Sequence, residues 1–469
     1  MTSTIEFHGA AETVTGSRYL VRAGDETLQV DCGLYQGQDD IARHNRDEWA
    51  YEAREVDHLI LTHAHIDHAG LTPRMVREGF KGAITTTPAS SDLAEIMLPD
   101  SARIMMSEVE WHNRKNQRRG RPTEEPLYDE GDARRAVERL AQLPYGREGH
   151  VGRGFAVTLI DAGHILGSAT ACLKVKANGT TKRIVFSGDV GDPGKAVVRD
   201  PAPPPAEFRA PDVIVIESTY GNRLHKDHGA TVDELCAIIR DAYKRGGKVI
   251  IPAFALGRTQ EILYHIKEIQ VRGQLPRIPV FVDSPLASSA TGVFRKNPDC
   301  FDDETKRMIE KDGSPFEFKG LTFVQSPKES MALNERKGPA VIISASGMCE
   351  AGRIKHHLKH NLWRDDATIV FVGYQAQGTL GHRIIMGAED VKILGEEVAV
   401  RAKVVTLGGF SAHADKNGLL NWLRRYDLSS TKVCVTHGEP DSARALAKAV
   451  IADLHADAVV PTFGESLDV

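Results

Sequence analysis

The chain has 469 residues, 41% hydrophobic and 26% charged, an ordinary globular composition with length enough for two or three domains. A formal net charge of -5 excludes a histone-like protein that coats nucleic acid with its whole surface, while leaving room for a local basic groove. The cysteines, Cys32, Cys172, Cys236, Cys300, Cys349 and Cys434, form no CxxC pair, so neither a zinc ribbon nor a disulfide framework is indicated and they read as buried thiols of a reducing compartment.

The opening residues, MTSTIEFHGA, carry neither a basic nor an apolar leader segment, and no apolar run of membrane-spanning length follows; the expectation is a cytoplasmic protein. Residues 4–7, 18–22 and 27–30 read as short strands of an antiparallel sheet, with a turn at 23–26. The third delivers Asp31 to a strand end, where a carboxylate either orients a metal-bound histidine or simply makes a turn.

The apolar run Leu59, Ile60, Leu61 then enters LTHAHIDHAG, which packs His63, His65, Asp67 and His68 close together. A strand ending there sets His63 and His65 on a loop at the sheet's rim, while Asp67 and His68 begin a helix. Donors this dense cannot all wrap one ion. Two adjacent ions suit the turn better, with His63 and His65 aimed at one and Asp67 and His68 at the other.

Residues 90–145 are polar and helix-prone, are expected to break at Pro99, and read as an insertion. Arg114, Lys115, Arg118, Arg119 and Arg121 concentrate positive charge there; solvated helix surface is the ordinary reading and phosphate contact the alternative. A strand at 155–160 leads to a loop carrying His164, a second strand spans 169–175, and a third at 183–186 runs toward Asp189. Alone, a loop His or Asp says little. Together they complete a set: His63, His65 and His164 for one ion, Asp67 and His68 for the other, and Asp189 between them.

A proline-rich connector at 199–208 precedes a strand at 213–216 that ends on Glu217. From 222 to 407 the chain repeats strand, glycine loop and helix, with strands at 249–251, 280–282, 341–343 and 369–372, which predicts a parallel α/β sheet. Ser344, Ser346, Gly347 and Gly378 fall in its loops and are candidates for contact with substrate phosphates. Beyond come His413 in FSAHAD, a helix at 416–425, a strand at 432–436 ending on His437, a helix at 441–455 and a final strand at 458–461.

Over nearly its whole length this arrangement resembles the metallo-β-lactamase fold, and specifically its β-CASP branch of nucleic-acid-processing nucleases. Asp31, the run from His63 to His68, His164 and Asp189 are similar to that fold's four motifs, and Glu217, His413 and His437 to three further motifs of the branch. The resemblance implies an α/β protein: an αββα sandwich from residues 1–221 and 408–469, with a parallel α/β β-CASP domain inserted at 222–407. Within that branch it resembles bacterial relatives of the endonuclease subunit of the cleavage and polyadenylation specificity factor. His437, where DNA-directed members usually carry valine, favours RNA.

The activity so implied is a zinc-dependent ribonuclease that hydrolyses single-stranded RNA in a cleft between the domains, endonucleolytically. Two Zn2+ would be held by His63, His65, Asp67, His68, His164, Asp189 and His437, with manganese or iron where supply favours them. Hydroxide generated between the ions attacks the phosphorus, His413 acts as general acid held by Glu217, and Asp31 completes the catalytic set. Kept open are a 5'-exoribonuclease, a small ester or thioester hydrolase on the same two-zinc site, and a catalytically silent RNA-processing scaffold. The expected partner is single-stranded RNA, with no membrane and with a homodimer left open.

Overall fold

Alternation along the strands builds the first core. In Val213–Ile216, Val213 and Val215 enter a core shared by two sheets, whereas Ile214 and Ile216 enter a core shared with two helices, because successive side chains of a strand point to opposite faces. Lys432–Val435 repeats the rule, with Cys434 facing the other sheet and Val433 and Val435 facing the helices Lys416–Leu423 and Pro440–Leu454.

The computed structural model describes residues 3–37, 39–177 and 179–469. One sheet runs in the order Ser466–Asp468, Thr4–Gly9, Arg18–Ala23, Glu26–Val30, His58–Ile60, Ile84–Thr86, Leu140–Gln142. Its facing sheet runs Asp457–Val459, Lys432–Val435, Val213–Ile216, Thr180–Phe186, Ala169–Ala177, Phe155–Asp161, Glu148–His150. Side chains such as Phe7, Tyr19 and Val30 from the first and Phe155, Leu173 and Phe186 from the second fill the space between them, as in stacked sheets generally. A third sheet is wholly parallel, in the order Leu321–Phe323, Val280–Val282, Ala340–Ser344, Lys248–Pro252, Thr368–Phe371, Lys403–Thr406.

The chain divides into two units. The first holds the residues up to Pro193, Asp200–Leu224 and His413–Val469, and the second holds Gly194–Arg199 and His225–Ala412. The expected boundaries after 221 and 407 therefore move to 224 and 412. Arg223 stays with the first unit because its carbonyl accepts from Lys416 N at 3.1 Å. The segment 194–199, expected in the first unit, joins the second because Val198 pairs with Phe301 and Asp302 N donates to Val197 O at 3.1 Å.

Three expectations are corrected. Pro88–Gln117 is one continuous helix with Pro99 inside it. The donor that Pro99 lacks would have served the carbonyl of Glu95, a solvent-exposed residue, while Leu93, Ala94, Met97, Leu98 and Ala102 keep one face buried across the proline. Residues 90–145 are no insertion, since Leu140–Gln142 closes the first sheet by pairing parallel to Ile84–Thr86. Its five basic side chains all stand exposed at and just beyond the helix end. The last strand is not the one near 458 but Ser466–Asp468, which pairs antiparallel with Thr4–Gly9; three mostly polar residues behind a glycine turn carry no periodic signal. None of the cysteines forms a disulfide, and all are buried except the half-buried Cys300. Among the described residues no helix is long and apolar enough to cross a membrane.

Candidate metal centre

Strand ends deliver the site. Asp31 follows Glu26–Val30, the run His63 to His68 follows His58–Ile60, and those two strands are parallel. Asp189 follows Thr180–Phe186, Glu217 follows Val213–Ile216, and His437 follows Lys432–Val435; these three are also mutually parallel and end along one edge. His164 occupies the loop between Phe155–Asp161 and Ala169–Ala177. Asp31 and His437 take the left-handed backbone conformation, with φ of 59° and 48°. Side chains other than glycine rarely adopt it, and its cost tends to be tolerated where a side chain must be aimed.

Two groups of donor atoms result. In the first, His65 Nδ1 lies 3.1 Å from both His63 Nε2 and His164 Nε2, and Asp189 Oδ2 lies 3.4 Å from each of the latter. In the second, His68 Nε2 lies 3.0 Å from His437 Nε2, and Asp67 Oδ2 is 3.7 Å from that same nitrogen. Asp189 reaches both, its Oδ1 being 3.2 Å from His68 Nε2 but buried and without hydrogen-bond geometry to any donor. Two ligands bonded at about 2.1 Å to one tetrahedral ion stand roughly 3.4 Å apart. Imidazole nitrogens facing one another at such distances oppose their lone pairs unless a proton or a metal ion lies between them. The donor set therefore fits cations, and mixed imidazole and carboxylate ligands suit zinc.

Protonation tells the same story. Burial, aided by the neighbouring His68, holds His63 well below the ordinary imidazole range; burial does the same to His164 and lowers His65 as well. These rings are neutral, the form that binds metal. Burial also acts on His68, but the charges of Asp189 and Asp31 outweigh it and raise His68 well above the ordinary value. That position draws positive charge, which a proton or a metal ion can supply.

Supporting contacts aim the rings. His68 Nδ1 donates to Asp31 Oδ2 at 2.7 Å, which leaves Nε2 for the second group. Asp31 Oδ1 in turn accepts from Thr62 N at 2.8 Å and from the Thr62 hydroxyl at 3.0 Å. Asp31 thus stands behind His68 as a positioning residue. Thr62 and Thr219, whose hydroxyl is 3.3 Å from His437 Nδ1, escaped the sequence reading; their only signal is adjacency to His63 and closeness to Glu217.

His413 belongs to a third grouping. Its Nδ1 lies 3.0 and 3.1 Å from the two oxygens of Glu217 and 3.9 Å from Asp189 Oδ2. Glu217 is pinned by Val190 N, which donates to Oε1 at 2.7 Å, and the segment carrying His413 is pinned by Ala414 N donating to Val190 O at 2.7 Å. Burial alone would depress the His413 imidazole, but Glu217 and then Asp189 push it up to about 9.

The structure thus brings together every metal and catalytic residue named from the sequence. The candidate phosphate contacts lie instead in the second unit. Ser344 is withdrawn: its side chain is buried and its hydroxyl donates to Asp283 O at 2.8 Å. The Ser346 hydroxyl is engaged by Ala351 within its own loop, which leaves the backbone there, with Gly347 and Gly378, as the surviving candidates.

Comparison with known proteins matches three family models: the metallo-beta-lactamase superfamily over residues 13–91, the Beta-Casp domain over 259–384, and a Zn-dependent metallo-hydrolase RNA specificity domain over 397–461. The chain is 38% identical to Ribonuclease TTHA0252 of Thermus thermophilus, covering 98% of this chain and 99% of that one. It is 30% identical to an RNase J-like protein of Methanocaldococcus jannaschii over 99% of both chains. Transcription termination factor FttA of the same organism is 29% identical, covering 93% of this chain and 67% of that one. A crystal structure of a protein of unknown function from Enterococcus faecalis superposes with a TM-score of 0.56 at 12% identity, covering 100% of both chains, a likeness of fold alone.

Proposed function

Because the chain belongs to the β-CASP branch of the metallo-β-lactamase superfamily and is a metal-dependent hydrolase, we propose that it cleaves single-stranded RNA internally, leaving a 5'-phosphate and a 3'-hydroxyl. The observation that carries the reading is the His413–Glu217 pair set 3.9 Å from Asp189. A protonated imidazole beside a cation-binding group is what a departing 3'-oxygen requires. The RNA specificity domain matched over 397–461 and the ribonuclease relative support RNA as the polymer.

One ion would be held by His63, His65, His164 and Asp189, the other by Asp67, His68, His437 and Asp189. Zinc held by these residues would lower the pKa of water from about 15.7 to about 7 and so supply hydroxide at neutral pH, together with positive charge beside the scissile phosphate. Asp31 keeps the proton on His68 Nδ1, so that Nε2 remains the donor nitrogen. As the bond from phosphorus to the incoming oxygen forms and the bond to the 3'-oxygen breaks, the departing oxygen takes the proton of His413 Nε2, since Nδ1 is engaged by Glu217. The 2'-hydroxyl is not the nucleophile, so no cyclic phosphate arises. Backbone at Ser346, Gly347 and Gly378 is assigned to phosphates of the bound strand.

The test is a denaturing gel of the zinc-loaded protein with one unstructured RNA labelled separately at each end, beside DNA of the same sequence. Internal cuts in RNA with DNA spared are expected. Release of single nucleotides from the 5' end would replace the internal cut with an exonuclease. Failure to cut either polymer with zinc fully bound would overturn the nuclease reading in favour of a small-ester hydrolase or a silent scaffold.

A further inference from the structure

The second unit holds a donor cluster that the chemistry above does not use. His228 is the first residue of the helix His228–Arg245, while Glu261 and His265 lie one turn apart on Arg258–Val271, a spacing that puts both on one helix face. A donor atom from each of the three lies within 4.8 Å of the others. His228 Nε2, Glu261 Oε1 and His265 Nε2 are each buried without a hydrogen-bond partner, and the His228–Glu261 separation of 3.8 Å is too long for a hydrogen bond. Buried polar atoms are nearly always satisfied. Three that converge on one point call for a shared partner.

The surroundings are arranged as they are behind a metal ligand. His265 turns its other nitrogen, Nδ1, to Glu268 Oε2 at 3.1 Å, the carboxylate–histidine arrangement that fixes the tautomer and frees Nε2 to bind. Arg258 Nη1 donates to Glu261 Oε2 at 2.6 Å, leaving Oε1 toward the two rings. Burial would raise Glu261, but the charges around it, that of Arg258 first, outweigh burial and hold the carboxyl below its ordinary value, so it is ionised. The buried Phe410 ring lies 5.5 Å from the ring of His265 and 5.9 Å from that of His228, walling the cluster with apolar surface. Two imidazoles and one carboxylate, with a position left for water, are a usual ligand set for zinc.

We propose that His228, Glu261 and His265 bind one divalent transition-metal ion, zinc by preference, as a site separate from the strand-end centre, tying the start of one helix to the middle of another. The proposal does not depend on the ribonuclease reading.

The experiment counts zinc per chain by mass spectrometry in full-length protein loaded with zinc and desalted. The background is a His63→Ala, His68→Ala, Asp189→Ala variant, which dismantles the strand-end centre. About one equivalent should remain there, and adding His265→Leu should remove it. His228→Ala, at a partly exposed ring, should do the same should His265→Leu fail to fold. Glu268→Gln in that background should weaken zinc binding by roughly 10- to 100-fold, measured against a chromophoric chelator. No zinc in the background variant, or one equivalent that survives both histidine replacements, would overturn the site.

Discussion

Replacing Glu217 with glutamine removes a negative charge 3.0 Å from His413 Nδ1 while keeping an oxygen that can accept from Val190 N. The rise of His413 from its ordinary 6.5 to about 9 is worth roughly 3 kcal/mol in favour of the imidazolium, and Glu217 is the largest contributor to it. Because this pKa is raised on folding, the stabilisation it brings is fully present below about 6.5 and is lost as pH climbs through about 9; the protonated acid is lost over the same climb. If glutamine returns His413 to about 6.5, then at pH 8 roughly 3% of it is protonated, against roughly 90% in the native protein. Single-turnover cleavage of end-labelled RNA by Glu217→Gln should therefore be about 30-fold slower than native at pH 8 and close to native at pH 6. His413→Ala should lose about 10²- to 10⁴-fold at every pH, and the double variant should be no worse than His413→Ala, because Glu217 acts through His413. Zinc content should stay native in all three. A Glu217→Gln deficit that is the same at pH 6 and pH 8, or losses that multiply in the double variant, would refute the reasoning.

Asp31→Asn deprives His68 Nδ1 and Thr62 of their shared carboxylate and should cost about 10- to 100-fold in zinc affinity by competition with a chromophoric chelator; unchanged affinity would remove Asp31 from the centre. Stripping zinc with EDTA should abolish cleavage reversibly while far-UV dichroism persists, since Phe186, Val215 and their neighbours form the sandwich core without the ions; loss of the dichroism would make metal part of the fold. Asp283 accepts from His357 Nε2 at 2.6 Å and Arg353 Nη1 at 2.7 Å, and despite burial these partners, with Ser330, hold its carboxyl below 3.8. Its stabilisation is thus present above about pH 4 and lost as pH falls further, so urea midpoints should put native protein above Asp283→Asn at pH 7 with the gap closing toward pH 3; a constant gap contradicts this. Phe186→Ala, in the core between the sheets and 5.6 Å from the ring of Tyr19, should cost about 3–5 kcal/mol by urea titration, and a loss under 1 kcal/mol would mean the sheets repack around the gap.

Much of this protein is legible before folding because its chemistry sits where short-range signals are strongest. Each β-branched or leucine-rich run that stops at a histidine or a carboxylate announces a strand and its end together, which is why His63, Asp189, Glu217 and His437 could be named from neighbours a few residues away. The parallel sheet of the second unit was likewise read from its repeated strands and glycine loops. Pro99 misled for the same reason: local propensity expects a break, and only the buried face formed by Leu93, Met97 and Ala102 against the rest of the unit keeps the helix whole. Whether Ser344 shows its hydroxyl to a ligand or to Asp283 depends on the end of a strand that lies 61 residues away from it. The approach of His65 to His164, the carboxylate behind His68, and the meeting of His228 with Glu261 and His265 join residues far apart in the chain. Sequence by itself determined which donors exist and which strand or loop carries each, since backbone state follows local pattern. Tertiary structure alone decided which donors share a point in space, because that is set by long-range strand pairing and packing, whose free energy no local window contains.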